Sequence, residues 1–436
     1  MAWDFETDPE YQEQLDWVEQ FVRDEVEPAD RMYDHPLDMA DPVRNAIIRP
    51  LQEKVREKGL WACHLGPELG GQGYGQLKLA LLNELIGTTL SGPVIFGTQA
   101  PDSGNAEILA HYGSDELKKT YLEPLLAGEI ASCFSMTEPT GGSDPTSFRC
   151  RAVRDGDDYV ISGEKWFSSN ARFASFLIVM AVTDPDAERH RRASMFVVPS
   201  DTPGIEIVRN VGVTGHAGHE GTHAYVRYND VRVPAANLLG GDGDGFKVAQ
   251  VRLGGGRIHH AMRTVALVRR SLDAMLERAV SRETRGRTLG ELQLVQEMIA
   301  DSWIQLEQFR LLVLRTAWKI DQVNDYKQVI KDIAGVKVAM PKVLQDVAGR
   351  AVQLHGSLGI STELPFGKYV LEGFHMAIAD GATEIHKQSV AKQLLKGVEP
   401  APDLFPSIHV PRLRDAADTK FADVLAAAAA DAAEVN

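Results

Sequence analysis

The chain has 436 residues, 44% of them hydrophobic, and a formal net charge of −15. A core of that size is expected to be divided between about two or three domains, and so acidic a balance argues against a surface built to neutralise phosphates, so no nucleic-acid partner is expected. Cys63, Cys133 and Cys150 suit neither a zinc site nor a disulfide framework and point to a reducing compartment. The acidic opening "MAWDFETDPEYQEQ" does not read as a targeting peptide, and no apolar run approaches membrane-spanning length, so a cytoplasmic chain with no membrane partner is predicted.

Residues 1–130 read as an N-terminal α-helical domain. In "YQEQLDWVEQFVRDEV" and "LKLALLNELIG" the apolar positions recur at three and four, and the loop "HLGPELGGQGYG" (64–75) interrupts them with residues that cannot continue a helix. Between 131 and 240 short β-branched and aromatic runs take over: "DDYVISGEKWFSS", "SFLIVMAVT", "SMFVVPS", "IEIVRNV" and "HAYVRYNDVRV". Turn residues separate them, which predicts a compact β domain. The helical period returns after "GGDGDGFKV" and runs through 246–282, 290–320, 328–354 and 382–396, so residues 241–397 read as a helical bundle. The stretch 398–436 begins with prolines and ends in an alanine-rich helix to which no chemistry is assigned. The class is therefore α+β, mostly α.

Four features carry possible chemistry. "MTEPTGGSDPTS" (136–147) could bring backbone amides to a ligand through Gly141 and Gly142, or it could be a turn with Asp144 in an Asx-turn. "QLHGSLGISTELPFGKYVLE" (353–372) ends a helix at paired glycines and resumes at Lys368, which suits a ligand phosphate and also any helix C-cap. In "AIADGATEIH" (377–386), Asp380 is either the N-cap of the last helix or a base. Histidines cluster at His216, His219 and His223 and at His259 and His260, but no acid or cysteine stands at ligand spacing; hydrogen-bonding histidines and no metal are expected.

In their order and separation, the first two features together resemble the FAD-dependent acyl-CoA dehydrogenase family, and the resemblance runs from about residue 10 to 397. The segment 353–372 fits the family pattern at Gln353, Gly356, Ser357, Gly359, Ile360, Glu363, Lys368 and Glu372; the loop fits from Met136 through Ser147, departing at Ser135. The resemblance implies the family fold: an N-terminal helical domain, a middle β-barrel and a C-terminal four-helix bundle, with FAD held between the last two and at a subunit interface of a homodimer or homotetramer. It places Phe134, Met136, Thr137, Phe167 and Ser169 against the flavin ring, and Gly142 and Ser143 at its pyrophosphate. Phe167 and Ser169 depart mildly from the usual Trp and Thr. From a neighbouring subunit, Arg282 would meet the FAD phosphates, and Gln353 and Gly356 the adenosine end, where Arg285 replaces a usual Phe.

The family's base is commonly a Glu followed by Gly. It aligns with Asp380-Gly381, which tips the reading of Asp380 towards base. The resemblance implies removal of the α-proton of an acyl-CoA thioester by Asp380, hydride transfer to the flavin, a trans-2-enoyl-CoA product and an electron-transferring flavoprotein as acceptor. Ser143, Gly256, Arg257 and Gly381 would touch the substrate. Desolvation is expected to raise the Asp380 pKa. Some members carry the base on the first bundle helix, a position that is Gly256 here. The run Gly254–Gly256 costs about 1 kcal/mol per residue relative to alanine in a helix and marks either room for a bulky acyl chain or close packing in an irregular helix. The combination "GGRIHHAMR" with "ADG" resembles a subgroup with an Asp-Gly catalytic position. A flavin oxidase of the same fold (acyl-CoA or nitroalkane type) and a non-enzymatic DNA-binding homologue are the alternatives.

Overall fold

The computed structural model describes residues 5–213 and 221–434. Helix α1 (Pro9–Phe21) starts where the Asp8 carboxylate accepts from the Glu10 amide at 3.1 Å, and it buries Tyr11, Leu15, Val18 and Phe21 at helical spacing. Asp41 caps α2 (Pro42–Glu57) in the same way. α3 (Gly75–Ile86) and α4 (Asp102–Tyr112) follow.

The strands are β1 (Ser132–Ser135), β2 (Arg151–Asp155), β3 (Asp158–Ser169), β4 (Phe176–Val182), β5 (Ala193–Pro199), β6 (Ile205–Val211) and β7 (His223–Pro234). Among the described residues they form one sheet in the order β1-β4-β2-β3-β7-β6, with β5 on the far side of β4. β1 also pairs back onto β3, Phe134 opposite Ser169, so the sheet curls on itself. The run "FLIVMA" of β4 is buried on both faces, which is why it reads as continuous apolar sequence, whereas the first half of β7 alternates.

The bundle consists of α5 (Gly245–Ser281), α6 (Gln293–Val323), α7 (Ile330–His355) and α8 (Phe366–Ile378), followed by α9 (Thr383–Leu395); α7 packs against α5, α6 and α8. The break expected at Gly356 is present, with φ +63°. α8 begins before Lys368 and continues through "HMAI", a helix that the sequence reading placed only in part. The glycine run does not make α5 irregular: the helix is continuous from Gly245 to Ser281.

The helical lobes at the two ends of the sequence share one core. A single apolar cluster runs from Ile48, Leu79 and Phe96 to Met262, Leu314 and Met340. A second joins Ile108 and Leu109 of α4, Phe134 of β1, Phe176 of β4 and Val248 of α5, so the sheet is fastened to helices from both lobes. The chain up to Val390 forms one compact body. A second unit starts at Ala391 and contains α10 (Val410–Lys420) and the alanine-rich α11 (Ala422–Glu434). No helix among the described residues is long and apolar enough to cross a membrane.

Candidate active site

A cavity of about 1040 Å³ lies between the sheet and the bundle. Phe134, Met136, Thr137, Gly142, Ser143, Phe167 and Ser169 line it from the sheet side, and Arg257, Asp380 and Gly381 from the bundle. Arg282, Gln353 and Gly356 do not line it. His216 and His219 lie outside the described residues, while His223 shares a hydrogen bond of 2.9 Å with Ser169 Oγ.

The sheet wall is set by pairing and by one buried ion pair. The β1–β3 register brings Phe134 and Ser169 side by side. Phe167 sits where the β3–β7 register slips and has φ +53°, an uncommon conformation for a bulky residue and typical of a bulge that re-aims a side chain. Beneath the loop, Glu138 accepts from the Arg149 and Cys150 amides at 2.6 and 2.9 Å and from Lys165 Nζ at 2.9 Å; Lys165 also donates to the Met136 carbonyl at 2.8 Å. The two side chains are 3% and 0% exposed, so every bond counts. Asp144 makes an Asx-turn with the Thr146 amide at 3.0 Å, so the segment is both turn and cavity wall. Aromatic faces with hydroxyls and loop amides at their edges suit a flat ring system with a polar rim.

On the bundle wall, Asp380 follows α8 with φ +54°, and Gly381 follows with φ +106°. A side chain at Gly381 would meet His386 Nε2 at 2.8 Å, so only glycine fits. The turn directs the Asp380 carboxylate onto α5 instead of the amides that open α9. Arg252 Nη1 stands 3.5 Å from Oδ1 and His260 Nε2 stands 3.5 Å from Oδ2, while Arg257 Nε and His386 Nε2 donate to the Asp380 carbonyl at 2.9 and 3.2 Å. A Cβ at Gly256 would lie 3.1 Å from Oδ2, so the carboxylate rests in the gap that glycine leaves. Gly254 and Gly255 likewise face Tyr326, ring and hydroxyl respectively. The glycine run therefore serves close packing and opens no void at Gly256.

Charge around this acid differs from expectation. Burial opposes its ionised form, but the cations Arg252, Arg257 and Lys337, with the His260 ring beside them, outweigh burial and hold the carboxyl below the ordinary aspartate value. The anticipated rise is present as a contribution and loses to cations that the sequence did not place there. Lys337 is pushed down to about 8 by the same burial, and it donates to the Met376 carbonyl. Burial also works against a charged His375, yet its bond to Glu372 at 3.3 Å raises its pKa. Arg252 lies 4.2 Å over the Phe134 ring, and its buried Nε has no hydrogen-bond partner among the described residues.

Three family models match end to end: acyl-CoA dehydrogenase N-terminal domain at residues 8–129, middle domain at 133–231 and C-terminal domain at 243–395. The chain belongs to the acyl-CoA dehydrogenase family. It is 41% identical over 404 residues to acyl-CoA dehydrogenase family member 11 of Mus musculus, covering 88% of this chain and 50% of that one. The chain thus spans about half the length of the first curated relatives that it matches. To "Probable acyl-CoA dehydrogenase FadE2" of Mycobacterium tuberculosis it is 41% identical over 381 residues, covering 85% of this chain and 92% of that one. A solved structure from Mycobacterium abscessus assigned as an acyl-CoA dehydrogenase superposes with a TM-score of 0.83 at 37% identity, covering 89% of this chain and 99% of that one.

Within this acyl-CoA dehydrogenase fold, sequence reasoning named Gly256, Arg257 and His260 without placing them around Asp380, and missed Arg252 and Lys337. Arg252, Gly256 and His260 are spaced four apart on α5 and present one face to the carboxylate. That spacing is visible in "RLGGGRIHH" once the segment is read as a regular helix. The Lys165–Glu138 pair left no such signal, because a loop acid and a lysine of β3 meet only once the sheet has formed.

Proposed function

We propose that this chain is an FAD-dependent acyl-CoA dehydrogenase that converts an acyl-CoA thioester to a trans-2-enoyl-CoA, with Asp380 as the base. The observation that carries the reading is the Asp380 carboxylate, buried and held ionised in the same cavity as the aromatic and hydroxyl wall of Phe134, Phe167 and Ser169. Phe134, Met136, Thr137, Phe167 and Ser169 would hold the ring, and Gly142 and Ser143 the pyrophosphate. Bound there, the flavin supplies the acceptor for hydride from the β-carbon.

The protein's own residues do the rest. The carboxylate takes the α-proton, and its burial keeps water from competing for that proton. Charge then grows on the thioester oxygen and needs a preorganised donor; the backbone amide of Asp380 is the group assigned that task. Arg257 and His386 hold the Asp380 carbonyl and so steady, from its C-terminal side, the residue that carries both base and donor. Ser143, Arg257 and Gly381 border the thioester, while Gly256 acts through the space that it leaves for Asp380. Arg282, Gln353 and Gly356 of a neighbouring copy complete the cofactor site in a homodimer or homotetramer, and electrons leave to an electron-transferring flavoprotein.

Anaerobic titration of the purified flavoprotein with a panel of acyl-CoAs, following loss of flavin absorbance, tests the reading. One or more thioesters should bleach the cofactor; bleaching by none would undo it.

A further inference from the structure

Three groups on one face of α5 form a seat for Asp380: Arg252, then the bare Gly256 one turn on, then His260 one turn beyond that. Arg252 is stacked on Phe134, whereas His260 has its direction fixed by a hydrogen bond to a third residue. Arg263 Nη2 lies 3.4 Å from His260 Nδ1 in a hydrogen bond. A guanidinium can only donate, so Nδ1 is the acceptor and the ring hydrogen of the neutral imidazole must sit on Nε2. Nε2 is the atom that faces Asp380 Oδ2 at 3.5 Å.

We propose that His260 is a positioning residue for the Asp380 carboxylate: held from behind by Arg263, it presents an N–H to Oδ2 and keeps the acid aimed and ionised over Gly256. This rests on the reading of Asp380 as the base. The same tautomer excludes a relay, since Nε2 already carries its hydrogen and cannot take the α-proton, which stays on Asp380. The surroundings agree with a neutral ring. Burial first, then Arg263, lower His260 to about 4, although Asp380 and the Glu372 carboxylate pull the other way and His375 adds to the lowering. Across from it, the carboxylate is faced by Arg252 and Arg257 of α5 and by Lys337 of α7, so His260 supplies direction where those cations supply charge.

The test compares His260→Leu with His260→Gln in the flavin-loaded enzyme, with kcat and KM measured from about pH 4.5 upward. Gln can accept from Arg263 and donate to Asp380, whereas Leu can do neither. The wild-type profile should be flat at its acid end. His260→Leu should lose about tenfold to a hundredfold in kcat with KM nearly unchanged, because the base is misaimed, and its acid limb should move up by about one pH unit, because a donor to the charged form is gone. His260→Gln should recover most of both. A His260→Leu rate and profile that superimpose on wild type would overturn the proposal, as would a Gln variant no better than Leu. Imidazole nitrogen NMR of the wild type provides a readout that needs no variant: a neutral ring with its hydrogen on Nε2 is expected, and a ring protonated at neutral pH or carrying its hydrogen on Nδ1 would contradict it. Failure of wild type on every thioester would sink the functional reading instead, and the NMR result would still stand or fall by itself.

Discussion

On the proposed reading Asp380 does the work of a glutamate with one methylene fewer, and the turn that carries it gives the short acid a seat. With φ at +54° the residue turns back towards α5, where Gly256 leaves room for Oδ2. Gly256→Ala would put a methyl group 3.1 Å from that oxygen. That is closer than a comfortable contact, so the acid must shift by a few tenths of an ångström. We predict a fall in kcat of roughly tenfold with little change in melting temperature, measured by steady-state kinetics beside thermal unfolding. An unaltered kcat would mean that the seat does not matter. The sign of the pH effect follows from the lowered pKa. A carboxyl held below its unfolded value stays ionised above that value and is neutralised only as pH falls through the folded one, so kcat/KM should show no acid limb from Asp380 between about pH 5 and pH 7. A limb near neutrality that vanishes in Asp380→Asn would contradict this.

The sheet wall depends on the loop between β1 and β2, and that loop depends on Lys165 and Glu138. Removing one member of a buried, fully bonded pair leaves the other charge unpaired, so Lys165→Met should cost about 3–5 kcal/mol, read from denaturant unfolding. Flavin affinity should fall with it, since Lys165 holds the Met136 carbonyl directly. A loss under about 1 kcal/mol would show that the pair is dispensable. This level was only partly legible in the sequence. Strand runs such as "DDYVISGEKWFSS" and "SFLIVMAVT" announce themselves because alternation and continuous apolar character report burial on one face or two. The pairing of β1 with both β3 and β4 cannot be read that way, since register depends on partners far along the chain. Helix α8 was undercounted although its buried face, Phe366, Tyr369, Gly373 and Met376, keeps the helical spacing; Glu372 and His375, off that face, line the cavity.

At the level of the whole molecule, the N-terminal helices and the bundle behave as one structure. Asp321 of α6 accepts from the Gln76 and Leu77 amides at 2.7 and 2.8 Å, capping α3 from across the lobe boundary, and Glu84 binds Arg310 at 2.8 Å. Asp321→Ala should therefore cost about 1 kcal/mol, as for loss of an N-cap, although the cap is hundreds of residues away in sequence. Because the cores are shared, melting of the body up to Val390 should follow a single transition by calorimetry and by circular dichroism; well-separated transitions for lobe and bundle would contradict a common core. Helical period alone separates the lobes at the β segment, and nothing local in either lobe reveals that each completes the other. The site was legible where a motif names a position, as at Met136, Thr137 and Asp380. It was not legible where the charge of Arg252 or Lys337 arrives through packing.

The central claim is that the Asp380 carboxylate takes a proton from the carbon next to a thioester carbonyl. Exchange of that α-hydrogen with deuterium oxide, followed by NMR in the flavin-loaded enzyme under anaerobic conditions, isolates the step from everything downstream. Wild type should exchange the α-hydrogen of an acyl-CoA that it bleaches, and Asp380→Asn should bind the same thioester with exchange slowed by about 10²–10⁴-fold. Exchange by Asp380→Asn at the wild-type rate would assign the proton to another group and contradict the account.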